Sequence, residues 1–296
     1  MIGAGPRADR YAATIQRLPQ LELAAVVSTQ PRKREFGARH CLSSVYALER
    51  SMADGVIIAS AAASHASLAR HLLEHGWPVL CEKPLALRAP GLHGAVRVVG
   101  TGMRANALLM VAITDLYGAP FAALQARLAK RGTIVRIESA GGNRGPFRSD
   151  CNALWDYGPH DLAMCLHLLR APLSLSECRV ERHHGGQNTT IGLSRAGIPV
   201  ADIRVGNGFA CKSRWLRVMT ADTEFLLDDL AVDKLVAGRR GERLWPVHYD
   251  RTFLPLDRQL MAFRLAVRRG QGRHWSAALA LRVHRLLASC ERQSTR

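Results

Sequence analysis

Lysine is scarce in this chain, and carboxylates are few. The 41 Lys and Arg residues include only Lys33, Lys83, Lys130, Lys212 and Lys234 as lysines, set against 24 Asp and Glu and a formal net charge of +17. A nucleic-acid binder usually gathers its cations on one stripe or helix, often with aromatics between them. Here aromatics make up 6% of the residues, and the densest basic groups, Arg32-Lys33-Arg34, Arg239-Arg240 and Arg268-Arg269, are short and separate. The charge therefore reads as a bias toward arginine: it favours anionic small ligands, and no nucleic-acid partner is expected. Long apolar runs are also missing. The longest, such as Ala105 to Ile113, fall far short of the ~20 residues that span a bilayer. No charged start with an apolar stretch and cleavage site appears, so the expectation is a cytoplasmic protein without a membrane partner. The cysteines (Cys41, Cys81, Cys151, Cys165, Cys178, Cys211 and Cys290) are an odd set without a C-x-x-C pair. Reduced thiols fit that pattern better than a disulfide framework.

What is present has the texture of two domains, as 296 residues suggest. In the first part, short β-branched apolar runs (Leu21–Val27, Gly55–Ala59, Trp77–Cys81, Leu108–Ile113) alternate with stretches of helical composition, Pro31–His40 and Ser64–His75. Such runs, buried on both faces and separated by helices, indicate a parallel sheet. After about residue 131 the segments Thr133–Ser139, Glu177–Arg182, Val200–Val205, Arg214–Thr220 and Thr223–Leu227 read as strands divided by glycine-rich turns. That spacing favours an antiparallel sheet. Two helical stretches close the chain, near Leu256–Arg269 and Ser276–Glu291.

The chain opens on Met1-Ile2-Gly3-Ala4-Gly5-Pro6-Arg7-Ala8, which fits the dinucleotide pattern G-x-G-x-x-A. Gly3 allows the tight turn, Gly5 lets backbone approach a pyrophosphate, and a small Ala8 permits close helix–strand packing. Only Met1 and Ile2 precede Gly3, where a central strand of ~5 residues belongs. The first strand therefore reads as truncated, and a start upstream of Met1 is expected. After the second strand an NAD enzyme usually carries an acidic residue for the ribose. This chain has Ser28-Thr29-Gln30-Pro31-Arg32-Lys33-Arg34 instead. Ser28 and Arg32 could hold a 2′-phosphate, which points to NADP with NAD possible; the competing reading is a solvated basic turn.

Trp77-Pro78-Val79-Leu80-Cys81-Glu82-Lys83-Pro84, with Gly55–Ser60 and Ser64-His65, and the later Leu154-Trp155-Asp156-Tyr157-Gly158-Pro159-His160-Asp161 closely resemble the E-K-P and D-x-G-x-H motifs of the Gfo/Idh/MocA oxidoreductases. The resemblance covers essentially the whole chain. It implies an α/β fold: a Rossmann domain over residues 1–115, then an α+β domain over 116–296 with a mostly antiparallel open-faced sheet. The closing helices would pack back on the first domain. It implies NADP-dependent hydride transfer at a hydroxyl or carbonyl carbon of a sugar, polyol or derivative. Lys83 would sit near the substrate hydroxyl, His160 would be the acid/base and Asp156 would orient it. Ala59, Ser60, His65, Glu82 and Pro84 would join Gly3, Gly5, Ala8, Ser28 and Arg32 at the cofactor, and Trp155 would line the substrate site. The spacing agrees for one pair, since residues 156 and 160 share a helix face. Lys83-Pro84 is an X-Pro bond that could be cis. Gly141–Arg148 reads as a loop before the second motif, where Arg144 and Arg148 either hold an anionic substrate group or lie exposed. The family's Asp three residues beyond the His is Ala163 here, which departs from its sugar-contact pattern. A homo-oligomer, dimer or tetramer, is also implied. His71–His75 fits H-x-x-E-H, but without a third ligand no metal is expected. The truncated strand motivates the alternative of a non-catalytic dinucleotide sensor or a decayed family member.

Overall fold

The computed structural model describes residues 1–147 and 151–294, with the side chains of Pro31, Lys33, Arg34 and Ala89 outside that description. In chain order the elements begin with α1 (Pro6–Arg17), β1 (Ala25–Val27), β2 (His40–Leu42), β3 (Val56–Ile58), α2 (His65–Glu74), β4 (Val79–Glu82), α3 (Leu92–Arg104) and β5 (Leu109–Ala112). There follow α4 (Ala119–Leu128), β6 (Arg136–Arg144), α5 (Ala153–Leu169), β7 (Ser174–His183), β8 (Gly186–Arg195), β9 (Ile198–Gly206) and β10 (Gly208–Met219). The chain closes with β11 (Thr223–Asp228), β12 (Leu235–Arg239), β13 (Trp245–Pro246), α6 (Pro255–Arg268) and α7 (Trp275–Ser294). Two compact units result: Met1–Thr114 with Pro255–Leu281, and Asp115–Leu254 with Arg282–Arg296. The division thus falls one residue before the expected 115/116 boundary, and α6 with the start of α7 returns to the first unit.

In the first unit β3, β4 and β5 form a parallel sheet, and every residue of β4 and β5 is buried. Burial on both faces explains why these strands read as unbroken apolar runs. The stretch from Pro31 reads as helical, but only a 3-10 turn over Pro31–Phe36 forms. Gly37 then takes a positive φ of 65°, and β2 pairs in parallel with β1 from Ala25↔His40 to Val27↔Leu42. An exposed three-residue edge strand carries no apolar alternation, so its sequence gives no strand signal.

The reduced first strand is a single bridged residue. Ile2 pairs in parallel with Val27 on one side and Ile58 on the other. Its N–H donates to Ile57 O at 2.8 Å, its carbonyl accepts from Ala59 N at 2.8 Å, and Gly3 N donates to Val27 O at 2.9 Å. The resulting order is β2-β1-Ile2-β3-β4-β5, and the direction of strand progression reverses at Ile2. Open α/β sheets bind ligands beyond the carboxyl ends of the strands at such a reversal.

The start of α7 carries a pH-sensitive cap. Ser276 N donates to His274 Nδ1 at 3.2 Å, and the Ser276 hydroxyl lies 2.7 Å from the same nitrogen while accepting from Val111 N of β5 at 2.9 Å. Nδ1 must be unprotonated to accept, and burial pushes the imidazole down from 6.5 to about 4. The folded state therefore binds fewer protons than the unfolded chain inside that window. This cap's contribution is complete above the upper value and is lost as pH falls toward the lower one. We expect His274→Gln to flatten the fall of the urea midpoint between those two pH values; an unchanged slope would remove His274 as its source.

In the second unit eight strands run in the order β13-β12-β11-β10-β6-β9-β8-β7. All neighbours are antiparallel except β6 and β9, which pair in parallel from Ile137↔Ala201 to Gly142↔Gly206. Helix α5 packs across β9, β6 and β8. Gly141–Arg144 are not a loop, as their glycines suggest, but the last residues of β6. Strand β8, with its polar start Gly186-Gln187-Asn188, and the short β12 and β13 also escape the sequence pattern.

Candidate active site

The first unit builds a dinucleotide cradle around two glycines that do different work. Gly3 has φ +112°, and a Cβ there would meet Ala59 O at 2.7 Å and Ala59 C and Ser60 N at 2.8 Å. Only glycine satisfies both demands. At Gly5, the N-cap of α1, a Cβ would meet nothing within 4 Å among the described residues. Space thus lies at a helix start whose cap supplies no side-chain acceptor, with Pro6 at the first position. The orphan amides of a first helical turn suit a pyrophosphate, so the residues present fit a dinucleotide. Ala8 is fully buried, as close packing of α1 requires.

Beside the cradle, Gln30 N donates to Ser28 Oγ at 3.1 Å. The Arg32 guanidinium donates to Ala4 O at 3.1 Å, inside the glycine turn, and pairs with Asp9 at 2.7 Å and Glu35 at 3.2 Å. Both carboxylates are exposed, so such pairs contribute little and exchange readily.

At the end of β4 the Glu82 carboxylate is buried and accepts from Arg7 Nε and from the Tyr11 hydroxyl, each at 2.6 Å. Glu82 therefore anchors α1 to the sheet with its side chain turned into the protein. Lys83 follows it, half-buried, with a cis bond to Pro84. His65 sits between the carbonyls of Pro84 (Nδ1, 2.8 Å) and Ser60 (Nε2, 3.1 Å), tying the loop after β3 to the Lys83-Pro84 turn. The Ser60 hydroxyl in turn lies 2.7 Å from that of Ser64.

The second unit gathers a charged cluster on α5. The His160 Nδ1 is hydrogen-bonded to Asp115 Oδ2. Arg214, on β10, donates from Nη2 to Asp115 Oδ1 and from Nη1 to Asp161 Oδ2, both at 2.9 Å. Asp161 is fully buried and Arg214 is half-buried. Burial alone would raise the Asp115 carboxyl, but Arg214 and His160 outweigh it and hold the group well below the usual carboxylate range. Asp161 goes the other way: its burial and the charge of Asp115 raise it against the opposing pull of Arg214 and His160. Asp115 is thus a charged acceptor, which places a proton of His160 on Nδ1.

The sequence makes room for this cluster. A Cβ at Gly141 would lie 2.7 Å from Arg214 Nη1, and one at Gly158 would lie 2.8 Å from Leu287 Cδ2. Glycine in β6 admits the ion cluster, and glycine in α5 admits α7.

The resemblance, with helix spacing in agreement, gives Asp156 as the residue that orients His160; the carboxylate on Nδ1 is Asp115, which lies 45 residues earlier. Asp156 stands one turn before His160 on α5, half-buried. Trp155, expected at the substrate site, is fully buried, with its ring centroid 4.5 Å from that of His284. Arg144 ends β6 as an exposed residue, and Arg148 lies outside the described residues. Asp115 and Arg214 were missed because neither lies in a motif, and only the fold brings them to His160. Among the described residues no group of three or more His, Cys, Asp or Glu could hold a metal, and no helix is long and apolar enough to cross a membrane.

One unit with a parallel sheet and a glycine turn at the start of α1, and a second with a largely antiparallel sheet under the helix that carries His160, define a two-unit α/β class of fold. The family model for oxidoreductases with an NAD-binding Rossmann fold, Gfo/Idh/MocA, matches residues 1–113. A Magnetospirillum magnetotacticum MS-1 protein crystallised as a candidate oxidoreductase is 30% identical, with 98% of this chain and 97% of that one covered at a TM-score of 0.81. The chain belongs to the Gfo/Idh/MocA oxidoreductase family. A scyllo-inositol 2-dehydrogenase (NADP(+)) of Bacillus subtilis is 29% identical over 146 residues. That match spans 47% of this chain and 44% of the enzyme. The 3-ketoreductase KijD10 from Actinomadura kijaniata, crystallised with NADP and TDP-benzene, shares the fold at 19% identity and a TM-score of 0.82, with 99% and 96% of the two chains covered.

Proposed function

We propose that the protein is an NADP(H)-dependent oxidoreductase that transfers a hydride between nicotinamide and a hydroxyl or carbonyl carbon of a sugar, polyol or sugar derivative. The observation that carries this reading over a non-catalytic dinucleotide sensor is the His160–Asp115 pair. A module that only binds a nucleotide has no use for a histidine oriented by a charged carboxylate. The substrate class is supported by the inositol dehydrogenase and the 3-ketoreductase to which the chain is similar.

A bound dinucleotide would supply the nicotinamide ring as hydride acceptor or donor. In the oxidation direction His160 Nε2 takes the hydroxyl proton as the carbon–hydrogen bond is broken, and it gives the proton back to the carbonyl oxygen in reduction. The Lys83 ammonium steadies the negative charge that develops on that oxygen. Gly3 shapes the turn and Gly5 leaves room for a pyrophosphate at the start of α1, and Arg32 would exchange Asp9 and Glu35 for the adenosine 2′-phosphate.

The test is a fluorescence titration with NADPH and NADH, followed by turnover assays on inositols, aldoses, ketoses and nucleotide sugars. NADPH should bind more tightly than NADH. Arg32→Ala should weaken NADPH about tenfold while leaving NADH within threefold, as losing one partly exposed charge-assisted contact implies. Equal effects on the two cofactors would remove the 2′-phosphate role. Absence of binding by either would overturn the whole reading, and binding without turnover across the panel would favour the sensor.

A further inference from the structure

The cluster behind His160 contains more charge than a histidine–carboxylate pair needs. Asp115 alone would orient the ring, yet Arg214 is brought in from β10 to bond its other oxygen. Arg214 is in turn held by Asp161, whose carboxylate is completely buried. Desolvating an arginine and an aspartate is expensive unless the geometry is fully used. The sequence also accommodates the pair at Gly141, where any Cβ would crowd Arg214 Nη1. We infer that Arg214 is a positioning residue for the proposed acid–base histidine: by gripping Asp115 Oδ1 it turns Oδ2 onto His160 Nδ1 and so fixes the orientation and tautomer of the ring.

The inference rests on the proposed role of His160, but it adds a second consequence of the geometry. A carboxylate that faces only an imidazole stabilises the imidazolium and traps the proton. Here the same carboxylate is shared with a permanent cation, so part of its charge is already answered by Arg214. The ring is oriented without being locked in its charged form, which a group that takes and returns one proton requires. The charged groups facing the cluster are Asp115, Asp161 and His160, with Asp229 acting on Arg214 from farther along the chain. Asp161 answers the other half of the guanidinium and fixes its plane. A lysine at position 214 would supply the charge without the fork that spans two carboxylates.

The experiment uses the full chain with selectively 15N-labelled histidine, His160 being assigned by loss of its signal in His160→Gln. Long-range 15N–1H spectra read the tautomer and titration of the ring without substrate or cofactor. Wild type should show a single Nδ1–H tautomer at neutral pH. The charge-balanced variant Arg214→Met/Asp161→Asn should show mixed tautomers and a His160 titration moved to higher pH. Where turnover is measurable, its kcat should fall about tenfold at neutral pH with KM within twofold, a fraction of what full loss of an acid–base group costs. Arg214→Lys retains a cation against Asp161 and guards against a folding failure of the double variant. It should move the tautomer and titration in the same direction by a smaller amount. A folded variant of either kind with wild-type tautomer and titration would overturn the positioning role. Wild-type protein with the Nδ1–H tautomer but no turnover with NADP(H) would instead count against the oxidoreductase reading and leave the positioning of the ring intact.

Discussion

Lys83→Met is expected to lower kcat by about a thousandfold while the affinity for NADPH stays within threefold of wild type. The expectation comes from how Lys83 is held. It follows the fully buried strand β4, and its neighbour Glu82 is locked to Arg7 and Tyr11. Pro84, after the cis bond, has its carbonyl against His65, and Leu85 and Ala86 are buried. The backbone on both sides is therefore fixed without the ammonium, and methionine keeps much of the side chain's length and apolar stem. What disappears is the positive charge that, in the proposed reaction, steadies the oxygen that gains or loses charge during hydride transfer. Lys83→Arg keeps a charge but presents a broad planar group in place of a compact one, so it should recover only a small part of the rate. Steady-state turnover with each variant, beside a fluorescence titration of NADPH, separates chemistry from binding. Turnover of Lys83→Met within tenfold of wild type would take the ammonium out of the reaction.

Part of the candidate site is legible in the sequence, and the boundary of what is legible has a physical cause. Gly3, Gly5, Lys83 and His160 lie in contiguous motifs, where a local backbone demand and a chemical group recur at fixed spacing. The parallel strands β3, β4 and β5 were legible for a related reason: burial on both faces writes an unbroken apolar run into the sequence. Edge strand β2 and the polar-starting β8 write no such pattern. The family resemblance gives Asp156 as the residue that orients His160, and the spacing agrees because residues four apart share a helix face. Helix geometry says which side chains are neighbours on one element, not which side chain another element brings. Asp115 comes from a 3-10 turn and Arg214 from β10, and only the folding of the second unit unites them with α5. Gly141 carried a signal that was read as a turn. Its glycine serves space above a strand, and sequence alone does not distinguish a glycine needed for φ from one needed for room.

That distinction gives the prediction with the largest structural effect, because the two cradle glycines fall on opposite sides of it. Gly3→Val is expected to destabilise the first unit by about 2–5 kcal/mol, from a positive φ that a β-branched residue resists and from overpacking against fixed atoms. The obstructing atoms are the backbone of Ala59 and Ser60, which lead out of β3 and cannot rotate away as a side chain could. The same residue adjoins Ile2, whose bridges to Val27 and Ile58 join the two halves of the sheet, so displacement at position 3 reaches both. Gly5→Val is expected to behave differently. Gly5 has φ −92°, which any residue adopts, and its Cβ direction is open among the described residues. The variant should unfold within about 1 kcal/mol of wild type, as an unstrained surface substitution does. Its NADPH affinity should nevertheless fall at least tenfold, because the isopropyl group occupies the space through which backbone approaches the pyrophosphate. Urea midpoints and NADPH titrations on the two variants test both statements together. A Gly5→Val protein that binds NADPH normally would show that the open space is not the cofactor's, and a Gly3→Val protein of wild-type stability would show that the turn can be built without glycine.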